Sequence, residues 1–275
     1  MSGRVLPLRG STDPWAGGTV TGSAHCVLAP NPSPWTLDGT NTWLLSGPGS
    51  EEVVVVDPGP DDPAHLAAIR ARAEQHGRVA QVLLTHGHVD HAEGARTLAA
   101  ACRVGVRALD PEHRLGDEGL AGGDVVDLGG WTIEVVATPG HSGDSVSMLV
   151  PHDGSVLTGD TVLGRGTSLV AWPDGLLGEY LDSLRRLRDL VDVSGVVRLL
   201  PGHGPVVADP GGLLDAYLEH RLARLAEVRE VVESGVTEPA SIVEVVYADV
   251  PTAVWPAAEM TVRAQLAYLA DLDAQ

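Results

Sequence analysis

Apolar positions along the chain follow two periods. Val53–Val56 is an unbroken β-branched run that stops at Asp57-Pro58-Gly59, the pattern of a buried strand entering a tight turn. Thr40–Leu45 and Glu51–Val56 flank Ser46-Gly47-Pro48-Gly49 and predict a hairpin. Asp61–His76 predicts a helix, with Ala64, Ala67, Ala68 and Ala71 at helical spacing, and Ala92–Ala101 predicts a shorter one. Between them Val79–Thr85 reads as another buried strand. Further strands are expected at Val104–Ala108, Asp124–Leu128, Trp131–Ala137, Ser145–Val150, Ser155–Thr158 and Val196–Leu200, with Gly129-Gly130 turning one hairpin. Tyr180–Val191 is amphipathic through Leu181, Leu184, Leu187, Leu190 and Val191. The first forty residues, with Asn31-Pro32-Ser33-Pro34 and Asp38-Gly39, read as short strands and loops. Strand pairs come first and strands mixed with helices follow. That order favours an α/β (α+β) arrangement of two sheets covered by helices over a doubly wound sheet.

The pattern changes near Asp209. Leu213, Leu214, Tyr217, Leu218, Leu222, Leu225, Val228 and Val232 keep 3/4 spacing over one long helix. Ser241–Tyr247 and Ala257–Ala270 predict two more, set apart by Pro251 and Pro256. We therefore expect a domain over 1–208 and a small helical module over 209–275. Three helices suggest a helix-turn-helix, whose usual use is nucleic-acid binding. Residues 220–275 hold four Arg and nine acidic residues, however, so a structural or substrate-shaping cap is the favoured reading. The apolar stripe of the long helix is read as packing on the main domain, with a dimer face as the alternative.

Charge restricts the partners. The 275 residues carry 37 acidic and 18 basic side chains, a formal −19. Every basic residue is Arg, and Phe is absent, so Trp, Leu and Val must supply core volume. This charge opposes broad polyanion binding and a double-stranded DNA footprint. No run of 18 apolar residues exists, so no membrane helix is expected. Met1–Gly10 carries Arg4 and Arg9 but lacks an apolar segment and a cleavage site, so no secretory signal is expected. Cys26 and Cys102 are too few for a disulfide framework and too far apart for a metal knuckle. A cytoplasmic protein with reduced cysteines is the resulting expectation.

The chemistry is concentrated in Leu83-Leu84-Thr85-His86-Gly87-His88-Val89-Asp90-His91. Three imidazoles and a carboxylate occupy six residues directly after a buried strand, and Zn²⁺ favours such nitrogen ligands supplemented by carboxylate oxygen. His86 and His88, two apart in an extended loop, can point to one side, while Asp90 and His91 sit where a helix begins. Gly87 lets the backbone approach closely. Three later strands end in the same way: Thr138-Pro139-Gly140-His141, Leu157-Thr158-Gly159-Asp160 and Leu200-Pro201-Gly202-His203-Gly204. Each places one ligand-type residue where it can converge with the others. His25, His65, His76, His113, His152 and His220 have no comparable context.

This ordered set resembles the metallo-β-lactamase-fold hydrolases over Thr40 to Val207, with Thr40-Asn41-Thr42 and Val56-Asp57-Pro58-Gly59 matching early strand motifs. The resemblance implies a four-layer αββα sandwich with a dinuclear site at one edge. His86, His88 and His141 would hold one metal, Asp90, His91 and His203 the other, and Asp160 would bridge them. Asp57 would fix the ligand loop, unless it is only a turn-forming Asp before Pro. Two Zn²⁺ per chain, about 3.5–4 Å apart, would share a hydroxide that attacks an electrophilic carbon or phosphorus. Asp90 would pass a proton to the leaving group.

Departures within the superfamily narrow the substrate. His88 stands where oxygen-reducing diiron relatives carry a carboxylate, and Asp160 where zinc β-lactamases have Cys. Ester, thioester, lactone and phosphodiester cleavage remain. Gly164-Arg165-Gly166-Thr167 after Asp160, Pro201–Pro205 and His220-Arg221 before a winged-helix-like tail resemble the beta-lactamase-like protein 2 group, whose mitochondrial member is a single-strand-specific endoribonuclease. The first reading is therefore phosphodiester cleavage of single-stranded RNA. Thioester hydrolysis of the glyoxalase II type, on a small molecule, is the alternative. A nucleic-acid-binding module with structural zinc is opposed by seven ligands, since structural zinc sites are mononuclear and closed. Arg165 is a candidate anchor for a substrate phosphate or carboxylate, or else a solvated loop residue, and His220 and Arg221 face the same choice. Tyr180 and Trp172 would stack on a base or serve in packing.

Overall fold

The β-branched runs pair into two sheets, and each sheet hides both of its faces. A computed structural model of the chain describes residues 13–274. Met1–Gly10, where no secretory signal was expected, lies outside them. The first sheet has the order β1 (Gly18–Thr19), β2 (Ala24–Leu28), β3 (Asn41–Ser46), β4 (Glu52–Val56), β5 (Arg78–Leu83) and β6 (Val106–Arg107). The second comprises β7 (Val125–Asp127), β8 (Thr132–Ala137), β9 (Val146–Val150), β10 (Ser155–Gly159) and β11 (Arg198–Pro201), ordered β11-β10-β9-β8-β7.

Period-2 alternation assigns the faces. Trp43, Leu45, Val54 and Val56 meet Ile133, Val135, Met148 and Leu157 between the sheets. Their neighbours Leu44, Val53 and Val55 point outward, under α1 (Pro63–Ala73) and α3 (Ala95–Cys102). Leu149, Val156 and Leu199 point outward from the second sheet, under α4 (Leu177–Ser194) and α5 (Pro210–Glu233). The layers therefore run helix, sheet, sheet, helix. With no Phe, the largest fully buried side chains include Trp43, Tyr180 and Tyr217.

Several expected elements are shorter than their patterns. The helix expected over Asp61–His76 starts at Pro63, because the Asp62 side chain accepts from His65 N and caps it. The helix expected over Ala92–Ala101 starts only at Ala95, as α3, after a separate turn α2 (Val89–Ala92). Gly94, the residue before α3, donates its N–H to Gly59 O at 2.9 Å. A side chain at Gly94 would strike the Pro60 carbonyl. At the sheet margin, Val104–Ala108 contributes only the two paired residues of β6.

α6 (Pro239–Val246) and α7 (Trp255–Asp273) complete the chain. Ile242 and Val262 pack with Leu225 and Val228 of α5 and Leu181 of α4. The apolar stripe of α5 is covered within the chain, since Leu214 and Tyr217 share a core with Leu184 and Leu199. No helix among the described residues is long and apolar enough to cross a membrane. Cys26 and Cys102 are both free thiols.

Candidate metal centre

Five strand ends, those of β4, β5, β8, β10 and β11, deliver the chemistry-bearing side chains to one edge of the sandwich. β4 and β5 are parallel with Val56 beside Leu83, so Asp57 and Thr85-His86 leave the first sheet together. β10 and β11 are parallel with Gly159 beside Pro201, so Asp160 and Gly202-His203 leave the second together. Asn41 joins the two sheets here: its Nδ2 donates to Pro201 O and Gly204 O at 2.9 and 2.8 Å. Trp43 Nε1 also donates to Pro201 O, at 3.0 Å. The result is a tight cluster. Ligand-type atoms lie within 4.8 Å of one another in each of the groups His86–His88–His141, His86–His91–Asp160 and Asp90–His91–His203.

The hydrogen-bond partners fix which nitrogen of each ring faces inward. His141 Nδ1 donates to Leu169 O (2.7 Å), His203 Nδ1 to Gly39 O (3.2 Å), His91 Nδ1 to Asp57 Oδ2 (2.9 Å) and His88 Nε2 to Asp174 Oδ2 (3.1 Å). Carbonyl and carboxylate oxygens only accept, so these four nitrogens carry the hydrogen. Thr85 Oγ1 donates to Asp57 Oδ2 at 2.7 Å, which leaves it to accept from His86 Nδ1 at 3.0 Å. Five ring nitrogens then face into the cluster, each offering a lone pair when its ring is neutral. His88 Nδ1 is 3.1 Å from both His86 Nε2 and His141 Nε2, and His91 Nε2 is 3.2 Å from His203 Nε2.

Bare lone pairs at such distances repel unless a cation lies between them. Nitrogen ligands tetrahedral about zinc are about 3.4 Å apart, close to what is found. Asp160 adds the oxygen donors: its carboxylate lies 3.4 Å from His91 Nε2, 3.3 Å from His203 Nε2 and 3.8 Å from His141 Nε2. Its Oδ1 is buried without a hydrogen bond. The donor set fits divalent cations.

Electrostatics divides the cluster. Burial pushes His86 well below the usual imidazole range, helped by the neighbouring His91 and His141, and burial also lowers His141. Burial would lower His91 too, but the Asp160 and Asp57 carboxylates hold it well above that range. His203 is raised to about 9 because Asp160, with hydrogen bonds to Asp160 and Asp90, outweighs burial. Burial would raise Asp160, yet His203 and His91 keep it well below the carboxylate range. One side is neutral and bare, the other attracts positive charge, and a divalent cation suits both.

Against this geometry, the model of the metallo-beta-lactamase superfamily matches residues 35–203, more than half of the chain. This chain belongs to the metallo-beta-lactamase superfamily. A beta-lactamase-associated winged helix domain matches residues 239–273. Beta-lactamase-like protein 2 homologs are similar along most of their length. The Caenorhabditis elegans protein is 32% identical over 255 residues, 88% of this chain and 82% of its own. The Drosophila melanogaster protein is 31% identical over 273 residues, 91% and 88%. The crystal structure of a metallo-beta-lactamase family protein from Thermus thermophilus matches with a TM-score of 0.76 at 21% identity, covering 93% of this chain and 96% of that one.

The structure treats the proposed substrate residues of this superfamily member unequally. A cleft of about 600 Å³ opens above the cluster, and Arg165, His220 and Arg221 line it. Tyr180 does not. It is fully buried, and its hydroxyl donates to Thr161 O at 2.7 Å, so it is a core residue of α4 that no base can stack on. Trp172 is exposed but absent from the cleft wall. Arg165 forms an ion pair with Asp38.

Two contributors escaped sequence reading. Trp35, half exposed, stands at the cleft mouth with Pro34 and Leu37. Asp174, in the turn before α4, orients His88. Asp174→Ala should release that ring and weaken metal retention about tenfold, the lower end for such supporting contacts because Asp174 is exposed. Competition with a chromophoric chelator measures it, and unchanged affinity would refute the role.

Proposed function

We propose that the chain is a dinuclear zinc hydrolase acting on a small ester or thioester with an apolar body. The observation that carries this reading is the join between floor and walls. Seven donors converge at the floor, while Trp35 and Leu37 on one side and Val250, Pro251 and Val254 on the other make the walls apolar. Zinc suits five imidazole nitrogens with carboxylate oxygens. When bound, the ion pair supplies a water that ionises near neutral pH and electrophilic stabilisation of the developing anion. His86, His88 and His141 would hold one ion, Asp90, His91 and His203 the other, with Asp160 between them. Asp57 aligns His91 and, through Thr85, His86. Asp90, 3.2 Å from His203 Nε2 and facing the cleft, is placed to carry a proton to the leaving group. An Asp90→Asn enzyme that retains metal should lose more rate on poor leaving groups than on good ones; equal losses would remove that role.

A thioesterase of Emericella nidulans, 34% identical over 210 residues, supports this substrate class, though the match spans 74% of this chain and 58% of that protein. The cleft arginines argue against a polyanion. Arg165 is neutralised by Asp38, and Arg224 by Glu227 and Asp249. Single-stranded RNA, the first expectation from sequence, is the second reading, supported by the near full-length likeness to the beta-lactamase-like protein 2 homologs. Residues 1–208 would be the catalytic domain and 209–275 the module that roofs it. Two free thiols suit a cytoplasmic setting.

The test is a panel of 4-nitrophenyl esters, an acylated glutathione, bis(4-nitrophenyl) phosphate and a single-stranded RNA, with zinc quantified. Ester or thioester turnover should exceed phosphodiester turnover by about 100-fold, and a His86→Ala/His88→Ala protein should lose it. RNA cleavage beside intact esters would overturn the reading, and full activity with one metal per chain would overturn the dinuclear site.

A further inference from the structure

Three arginines line the cleft, and they are not equivalent. Arg165 and Arg224 face carboxylates. Arg221, on α5, is 5% exposed and pairs with no carboxylate among the described residues. Its Nη2 donates to Ser168 O, its guanidinium carbon lies 5.0 Å from the centre of the Tyr180 ring, and its buried Nε–H has no acceptor. A guanidinium offers five donors; the Ser168 carbonyl and the Tyr180 hydroxyl oxygen, both neutral, are the acceptors near it. Burying a positive charge with so little compensation is costly, and proteins keep such an ion where a counter-ion arrives. Thr261 of α7, 7% exposed, lines the same cleft, with no hydrogen bond to its hydroxyl among the described residues.

We propose that Arg221, with Thr261 of the same cleft, is the subsite for a single carboxylate on the substrate, remote from the bond that is cleaved. The idea rests on the ester or thioester reading and sharpens it. The substrate is an acid whose carboxylate sits under the roof formed by α5 and α7, whose apolar body fills the cleft, and whose acyl bond lies over the cluster. One uncompensated positive charge matches one carboxylate, and the planar fork suits its two oxygens. A polyphosphate chain would bring many more charges than this wall can meet.

The subsite is tested with two esters sharing a leaving group, mono-4-nitrophenyl glutarate and 4-nitrophenyl pentanoate, on the zinc-loaded protein. The quantity read is the ratio of their kcat/KM values. The ratio should favour the glutarate in the native chain and fall at least tenfold in Arg221→Gln, roughly what a charge-assisted hydrogen bond contributes. Arg221→Lys should recover part of it, and Thr261→Val should lower it about threefold. A constant ratio, or loss of zinc with both substrates falling together, would show Arg221 to be only a brace for the Ser168 loop and would overturn the subsite. If the native chain cleaves neither ester, the ester reading fails separately, and thermal protection by free glutarate decides the subsite. Protection of the native chain but not of Arg221→Gln upholds it; equal protection or none refutes it.

Discussion

Replacing Asp160 by asparagine should cut the proposed hydrolysis by about 10³-fold or more, roughly 4 kcal/mol of transition-state stabilisation, and lower the bound-metal content. Asp160 is the one carboxylate in reach of both halves of the cluster, within 3.8 Å of His141, His91 and His203. It is held ionised against its burial by His203 and His91, so it contributes a full negative charge between the two groups of lone pairs. Asparagine keeps the shape and one acceptor oxygen but removes that charge and turns an N–H toward two imidazoles. The lone pairs of His91 and His203, 3.2 Å apart, then lose the anion that offsets the accumulation of positive charge between them. Elemental analysis alongside steady-state kinetics checks the prediction. A variant with native metal content and near-native kcat would refute the bridging role proposed for Asp160. Circular dichroism should change little, because Asp160 lies beyond the end of β10, outside the sheet cores.

The layers were legible because each buried strand is a short β-branched run closed by a turn, as at Val53–Val56 and Ser155–Thr158. The seven cluster residues were legible for a related reason: each follows such a run directly, so a strand end reads as an address. Partners joined only through space were not. Asp174 meets His88 across 86 residues and Asp38 meets Arg165 across 127, and no local pattern links them. The break between α2 and α3 depends on Gly59 touching Gly94, which periodicity cannot register. Two burials also follow from helical spacing. Tyr180 shares the face of Leu184 and Leu187, which marks it as core rather than as a stacking surface. Arg221 and Arg224 lie on the stripe of Leu214, Tyr217, Leu225 and Val228, so their burial follows from helical spacing.

Asp57→Asn should weaken metal binding by the cluster by about 10- to 100-fold, although it changes one atom of a residue outside the cleft lining. Asp57 holds a left-handed φ of 51°, a conformation asparagine adopts as readily, so the turn itself should survive. The damage comes through proton positions. Asp57 Oδ1 accepts from Thr85 N at 2.8 Å, and Oδ2 accepts from Thr85 Oγ1 and His91 Nδ1. If the new amide puts NH₂ at the Oδ2 position, His91 Nδ1 must become an acceptor, and its hydrogen moves to Nε2, into the cluster. Thr85 Oγ1 must then turn its own hydrogen toward His86 Nδ1, and His86 likewise acquires a hydrogen on Nε2. One exchange of oxygen for nitrogen thereby closes one lone pair in each half. If the amide turns the other way, its NH₂ faces the buried Thr85 N–H, leaving a donor against a donor at a cost of about 1–3 kcal/mol. Chelator competition gives the affinity, and ¹⁵N shifts of the histidine side chains report the tautomers directly. Unaltered tautomers with native metal affinity would show that Asp57 shapes the turn alone.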